Sequence, residues 1–288
     1  MKSLLVLTNG NETTWPAIEF SAWISTQSNA PLTLVGILES RGENDAVEEI
    51  FSRAVTLFQQ KGVKYTLQLE SGHAETVIPR KAADETAEIV AIGPLGRPAL
   101  RRFFAGRSFR HLLAGVEKPL LYIPAAIIPV QKMLVCLGGL GYGLTAEGMG
   151  ARLAQTFKAS LTLLTVVPPI DLDYPEARAI RENWQNLAAT DTLPGRTLRQ
   201  AMEIARKAQV KARVVTRQGD AIEEIRAEIR DGGYDMVCMG SPYSSQSLRQ
   251  MATANVTADV AETAPCPVLS ARFVAQVSGL PTFAASGI

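Results

Sequence analysis

Short apolar runs of strand length alternate with helix-length segments along the whole chain, and the same order of types occurs twice. The first set is LLVLT (4–8), LTLVGIL (32–38), VKYTLQL (63–69), EIVAIG (88–93) and PLLYI (119–123). The second is KMLVCL (132–137), LTLLTVV (161–167), VKARVVT (210–216), DMVCMG (235–240) and PVLSA (267–271). Runs of this kind suit strands buried on both faces of a parallel sheet, and the segments between them suit crossover helices. Val47, Ile50, Phe51, Ala54 and Phe58 make one apolar helical stripe, and Ile222, Ile225 and Ile229 make another. Steady alternation of strand and helix implies right-handed crossovers with helices on both faces. The pattern predicts an α/β fold of two tandem, doubly wound, Rossmann-like domains, each a five-stranded parallel sheet.

Glycines and leucines set the register of the repeat. Leu4 matches Leu134 at an offset of 130, whereas Gly72 matches Gly219 and Gly93 matches Gly240 at 147, so 17 inserted residues are expected between the second and third strands of the second half. A period this long exceeds the roughly 20 to 50 residues of solenoid repeats and reads as a duplicated domain. The boundary falls near Pro124–Pro129. Domains are expected over 1–128 and 129–275, with a flexible tail over 276–288. The extra segment, 168–196, carries Pro168, Pro169, Pro175, Pro194 and Gly195, and reads as a longer second crossover with an irregular lead-in.

The charge balance, 29 Lys plus Arg against 28 Asp plus Glu, gives no reason to expect nucleic acid or an anionic membrane as a bulk partner. No apolar run reaches spanning length, and MKSLLVLTNGNETTW reads as a first strand rather than a signal peptide. Cys136, Cys238 and Cys266 sit in or beside apolar segments with no CxxC spacing, which points to buried thiols in a reducing, cytoplasmic setting. His73 and His111 belong to no metal-binding pattern.

In an open parallel sheet, ligands bind beyond the carboxyl ends of the strands where strand order reverses. Candidate residues therefore follow strands. Thr8 and Asn9 follow the first. After the fourth, Gly93, Gly96 and Gly106 fit G-x2-G-x9-G, followed by Arg107, Ser108 and helix-compatible sequence. Glycines let backbone N–H groups approach phosphate, and a helix start supplies unpaired donors. Arg97, Arg101, Arg102, Arg107 and Arg110 concentrate positive charge there. In the second half, Gly141, Gly143 and Ala146 match G-x-G-x-x-A, but the acidic residue of a dinucleotide site is missing after the next strand.

The G-x2-G-x9-G spacing, Lys118-Pro119-Leu120 after it, and the APCPVLSAR ending with Cys266, Pro267 and Val268 resemble the universal stress protein family, in two copies over essentially the whole chain. The resemblance implies adenine-nucleotide-alpha-hydrolase-like domains and ATP or another adenine nucleotide, with Mg, as ligand. It also implies two departures. Family members that bind ATP usually place an Asp near the adenosine part, where this chain has Asn9 and Gly138; the hydroxyl after the third glycine is replaced by Arg107, with Ser108 one step later. In the second copy Gly240 and Ser241 persist, the second glycine is Tyr243, Ala254 and Asn255 fall at the third glycine and its partner, and Thr257 is the remaining hydroxyl candidate. The second site is expected to be degenerate.

The resemblance thus implies a stress-associated regulatory or binding protein with a nucleotide site in the first domain and a protein partner of unknown identity. No base, carboxylate pair or nucleophilic triad is evident by spacing, so no catalyst is expected, although slow ATP hydrolysis stays open. The alternative is a nucleotide-independent scaffold or small-metabolite module. The fifth strands, LLYIP and VLSAR, are expected to pair as an internal pseudo-dimer within a monomer or homodimer, which removes two exposed edges.

Overall fold

The computed structural model describes residues 1–39, 44–96, 109–138, 144–169, 175–241 and 256–272. In the first half, β1 (Leu4–Thr8) leads through a short 3-10 turn (Glu12–Thr14) into α1 (Trp15–Ser28), and β2 (Leu32–Leu38) is followed by α2 (Asn44–Lys61). Then come β3 (Tyr65–Ser71), α3 (Ala74–Asp84), β4 (Ile89–Ile92), α4 (Phe109–Gly115) and β5 (Leu120–Tyr122). The second half repeats the plan with β6 (Lys132–Leu137), α5 (Leu144–Phe157), β7 (Ser160–Val167), α6 (Pro175–Asn183), a 3-10 segment (Trp184–Ala189) and α7 (Leu193–Lys207). It closes with β8 (Ala212–Gln218), α8 (Ala221–Gly232), β9 (Met236–Ser241), α9 (Val256–Ala261) and β10 (Val268–Arg272).

All ten strands form one sheet, ordered β3-β2-β1-β4-β5-β10-β9-β6-β7-β8. Every pairing is parallel except β5 with β10, which run antiparallel with Leu121 opposite Leu269. Each half therefore has the order 3-2-1-4-5, and the two are related by a pseudo-twofold axis through the β5–β10 junction. The pseudo-dimer expected from the fifth strands is present, and it removes two edges that would otherwise expose unpaired backbone groups.

Strand alternation splits the core between the two faces. Leu4, Val6, Leu34 and Leu269 pack with α1, α2, α5 and α7 residues, whereas Leu5, Leu7, Val35 and Val268 pack with α3, α4, α8 and α9 residues. Both cores run through the junction. Trp23 of α1 meets Phe157 of α5 with ring centroids 4.6 Å apart, and α4 packs against α9 on the other face. Arg152 of α5 reaches back to Glu88 of the first half at 2.6 Å.

Strand register corrects the expected repeat. Leu4 pairs with Leu32, and Met133 with Leu161, so the first offset is 129 and the equivalent of Leu4 is Met133 rather than Leu134. Leu32 pairs with Tyr65, and Leu161 with Ala212, an offset of 147 on the third strands. The insertion is thus 18 residues, and α6 with its 3-10 segment accounts for it. Leucine identity had concealed the one-residue difference. The expected third strands also begin two residues early in each half, since β3 and β8 start at Tyr65 and Ala212. Both are edge strands with half-exposed residues, so apolar content does not mark their ends.

Candidate functional site

Strand order reverses between β1 and β4, the switch point at whose carboxyl edge open parallel sheets of this kind bind ligands. The turn after β1 and the loop after β4 meet there. Thr8, at the end of β1, is buried; its hydroxyl lies 2.6 Å from that of Thr14 and accepts from Gly10 N at 3.1 Å. It shapes the turn from inside. Asn11 caps the 3-10 turn, its Oδ1 accepting from Thr13 N at 3.0 Å and Thr13 Oγ1 at 2.7 Å. Thr13 Oγ1 also lies 2.5 Å from the Pro94 carbonyl, and its single proton goes either to that carbonyl or to Asn11 Oδ1.

Asn9 is the hub of this crevice. Its amide nitrogen donates to the Leu95 carbonyl at 3.1 Å and to Glu39 Oε2 at 3.3 Å, while its Oδ1 accepts from Asn11 N at 3.3 Å. Glu39, just past β2, uses its other oxygen to accept from Ala74 N at 2.8 Å, the first N–H of α3. It supplies the cap that His73 does not, since the His73 side chain makes no capping bond. A carboxylate thus stands beside position 9 even though position 9 itself is an amide. An Asp at 9 would face Glu39 as a like charge, whereas the Asn9 amide donates to it.

The glycines after β4 are required by contact. Gly93 is buried, and a Cβ there would fall 2.9 Å from Thr14 Cα. Gly96 has φ +65°, and a Cβ there would fall 2.0 Å from Asn11 Nδ2. The structure therefore brings Asn9, Gly93 and Gly96 together with Thr8 beneath them. Arg97, Gly106, Arg107 and Ser108 lie outside the described residues. Sequence reasoning missed Glu39, Asn11 and Thr13; the run Asn9-Gly10-Asn11-Glu12-Thr13-Thr14 is dense in turn-forming side chains and was the available signal.

The corresponding edge of the second half differs. Gly138 stands at the Asn9 position, and a Cβ there would meet nothing within 4 Å. Gly240 and Ser241 end β9, with Ser241 paired to Arg272 in β10. Thr257 is buried, and its hydroxyl donates to the Gly240 carbonyl at 2.8 Å, tying α9 to the strand end. Tyr243, Ala254 and Asn255 lie outside the described residues. An unforeseen group lies nearby in sequence: Glu147, in the first turn of α5, is 1% exposed, and neither carboxylate oxygen has a hydrogen-bond partner among the described residues. Burial raises its pKa to about 7. At the helical offset of 129, its first-half counterpart is Ile18, a fully buried core residue.

Among the described residues, no three His, Cys, Asp or Glu side chains gather as a metal-binding group, and no helix is long and apolar enough to cross a membrane. The three cysteines are free and buried.

Comparison with known proteins finds this fold elsewhere. A universal stress protein from Archaeoglobus fulgidus is similar over 94% of this chain and 98% of its own, with a TM-score of 0.67 at 14% identity. A putative universal stress protein from Pseudomonas aeruginosa covers 94% and 93%, with a TM-score of 0.64 at 14% identity. A universal stress protein in complex with cAMP aligns over 50% of this chain and 99% of its own, with a TM-score of 0.41 at 19% identity. No curated protein sequence matches significantly. The universal stress protein family model matches twice, over residues 1–124 and 129–272, so the chain belongs to the universal stress protein family as a tandem of two such domains.

Proposed function

We propose that this protein is a binding protein whose first domain takes an adenine nucleotide, with its nucleoside at the crevice between β1 and β4. The observation that carries this reading is the polar equipment of the switch point: Asn9 and Glu39 side by side at 3.3 Å, beneath a loop whose Gly96 admits no side chain. Glu39 supplies the carboxylate that the family pattern places at position 9. Ribose hydroxyls are fitting donors to a carboxylate. Gly106, Arg107 and Ser108 would receive the phosphates by sequence position, with Mg held mainly through those phosphates. Three buried thiols fit a cytoplasmic setting.

A specific observation favours a second reading. The bonds from Asn9 to Leu95 and from Thr13 to Pro94 fasten the two loops across the crevice, which suits a nucleotide-independent interaction module. Calorimetric titration with ATP, AMP and cAMP separates the two. Nucleotide binding by the wild type, weakened about tenfold or more in Glu39→Gln and Arg107→Ala, supports the first reading. Silence of both the wild type and the loosened Asn9→Ala variant, with no nucleotide released from freshly purified protein, leaves the second.

A further inference from the structure

Two adjoining grooves lie on the outer side of the second domain, where α5 meets the C-terminal end of α7. The larger, about 560 Å3, is lined by Met149, Ala151, Arg152, Ile204, Lys207 and Ala208, with Gly148 among its other walls. The smaller, about 400 Å3, shares Gln155 with it and continues to Lys158, Val210 and Lys211. The floor is apolar. Its rim carries four cations, and no Asp or Glu lines either groove among the described residues. Arg152 is held by Glu88 at 2.6 Å and Lys207 lies 3.8 Å from Glu203, both with most of their surface in water; Lys158 and Lys211 are also exposed.

The shared fold does not demand this charge. At the offsets fixed by strand register, the first half has Trp23 for Arg152, Asn29 for Lys158 and Gln60 for Lys207; only Lys64 repeats Lys211. The left-handed residues that end the first helices, Asn29 and Lys158, with φ of 52° and 58°, confirm the alignment. Three cations have thus been placed on one groove of one domain.

We propose that this groove docks an acidic amphipathic helix of a partner protein. Apolar side chains at every third or fourth position would lie on the half-buried Ile204 and Ala208 and over Gly148, with Met149 and Ala151 buried beneath them, and flanking Glu or Asp would meet the four cations. From Leu144 to Phe157, α5 offers about 20 Å, room for about 13 residues of partner helix. The recessed apolar floor distinguishes this surface from a phosphate-tracking stripe, and a bilayer surface would not enter a groove between two helices.

Fluorescence anisotropy of a labelled Leu/Glu amphipathic helical peptide against the full chain tests the proposal. Binding is expected, weakened at least tenfold by Lys158→Glu, Lys207→Glu and Lys211→Glu together, and weakened by raising salt from about 50 to about 500 mM. Gly148→Phe is the second variant: a Cβ there meets nothing within 4 Å, so the ring fills the groove without entering the core and should also remove binding. Unchanged affinity in both folded variants overturns the proposal. So does a wild type that fails to bind at about 1 mM, or tighter binding of a Leu/Lys peptide, duplex DNA or anionic vesicles.

Discussion

Replacing Glu147 should make the protein more stable, and by an amount that depends on pH. The carboxyl group is 1% exposed and has no hydrogen-bond partner among the described residues, and burial raises its pKa from an ordinary 4.5 to about 7. In the unfolded chain the group ionises near its ordinary value, so between pH 4.5 and 7 the unfolded state releases a proton that the folded state keeps. Stability contributed at this position is therefore full below pH 4.5, is lost as pH rises to about 7, and is flat above. The rise from 4.5 to about 7 corresponds to about 3 kcal/mol at neutral pH, at about 1.36 kcal/mol for each tenfold change in proton affinity. Glu147→Gln removes the titration, and Glu147→Ile installs the first half's residue and also adds apolar burial. Urea denaturation followed by tryptophan fluorescence at pH 4.5, 6 and 8 should show the variants' advantage growing by about 3 kcal/mol across the series. A difference between variant and wild type that is the same at all three pH values would refute the reasoning.

Three further outcomes follow from local geometry. Gly148→Ala should raise stability by about 0.5–1 kcal/mol in thermal melts, because α5 gains helix propensity in open space, whereas Gly150→Ala should lower it, since its Cβ falls 2.6 Å from Val135 Cγ2. Arg217→Met should cost about 2–3 kcal/mol by denaturant titration, because it leaves buried Glu228 without the 2.8 Å bond from Arg217 Nε, although Tyr234 still donates to it at 2.6 Å. Cys238 and Cys266, with pKa values pushed up to about 12 by burial, and Cys136, pushed higher still, should resist iodoacetamide in the native protein at pH 8 and react on unfolding. Rapid native labelling seen by mass spectrometry would contradict that burial.

The fold was legible because its central strands are covered on both faces, so LLVLT and KMLVCL announce themselves by apolar content alone. Edge strands lack that signal: β3 and β8 alternate half-exposed positions, and their ends are set by pairing with β2 and β7. At the candidate site, Asn9, Gly93 and Gly96 were legible through the rule that ligands sit at the carboxyl edge. Glu39 satisfies the same rule but escaped notice, since its role depends on Asn9 and the N-terminus of α3 meeting it from distant parts of the chain. Glu147 was visible as a charge on the apolar face formed by Ala146, Met149, Leu153, Ala154 and Phe157. Periodicity places it toward the sheet, but only the packed structure reveals that no described residue pairs with it.

Duplication leaves each third crossover helix with two similar strands to dock against, and the polar residues bear on that choice. In the first half, Glu70 on edge strand β3 meets Lys81 of α3 at 3.5 Å and Arg80 at 2.7 Å. At the matching positions of the second half the signs are reversed, with Arg217 on β8 and Glu228 on α8 joined at 2.8 Å. Docking α3 on β8 would bring Lys81 to Arg217, and docking α8 on β3 would bring Glu228 to Glu70. Each half thus attracts its own helix and repels the other's, a discrimination that apolar packing of such similar cores does not supply. The exposed Arg80 contact is worth at most about 1 kcal/mol, but buried Glu228 beside a second carboxylate would incur several. Charge inversion therefore acts mainly by penalising the swapped arrangement. The same economy applies to Glu147 for Ile18 and Lys158 for Asn29: the backbone plan is repeated, while a few polar positions make the two domains inequivalent.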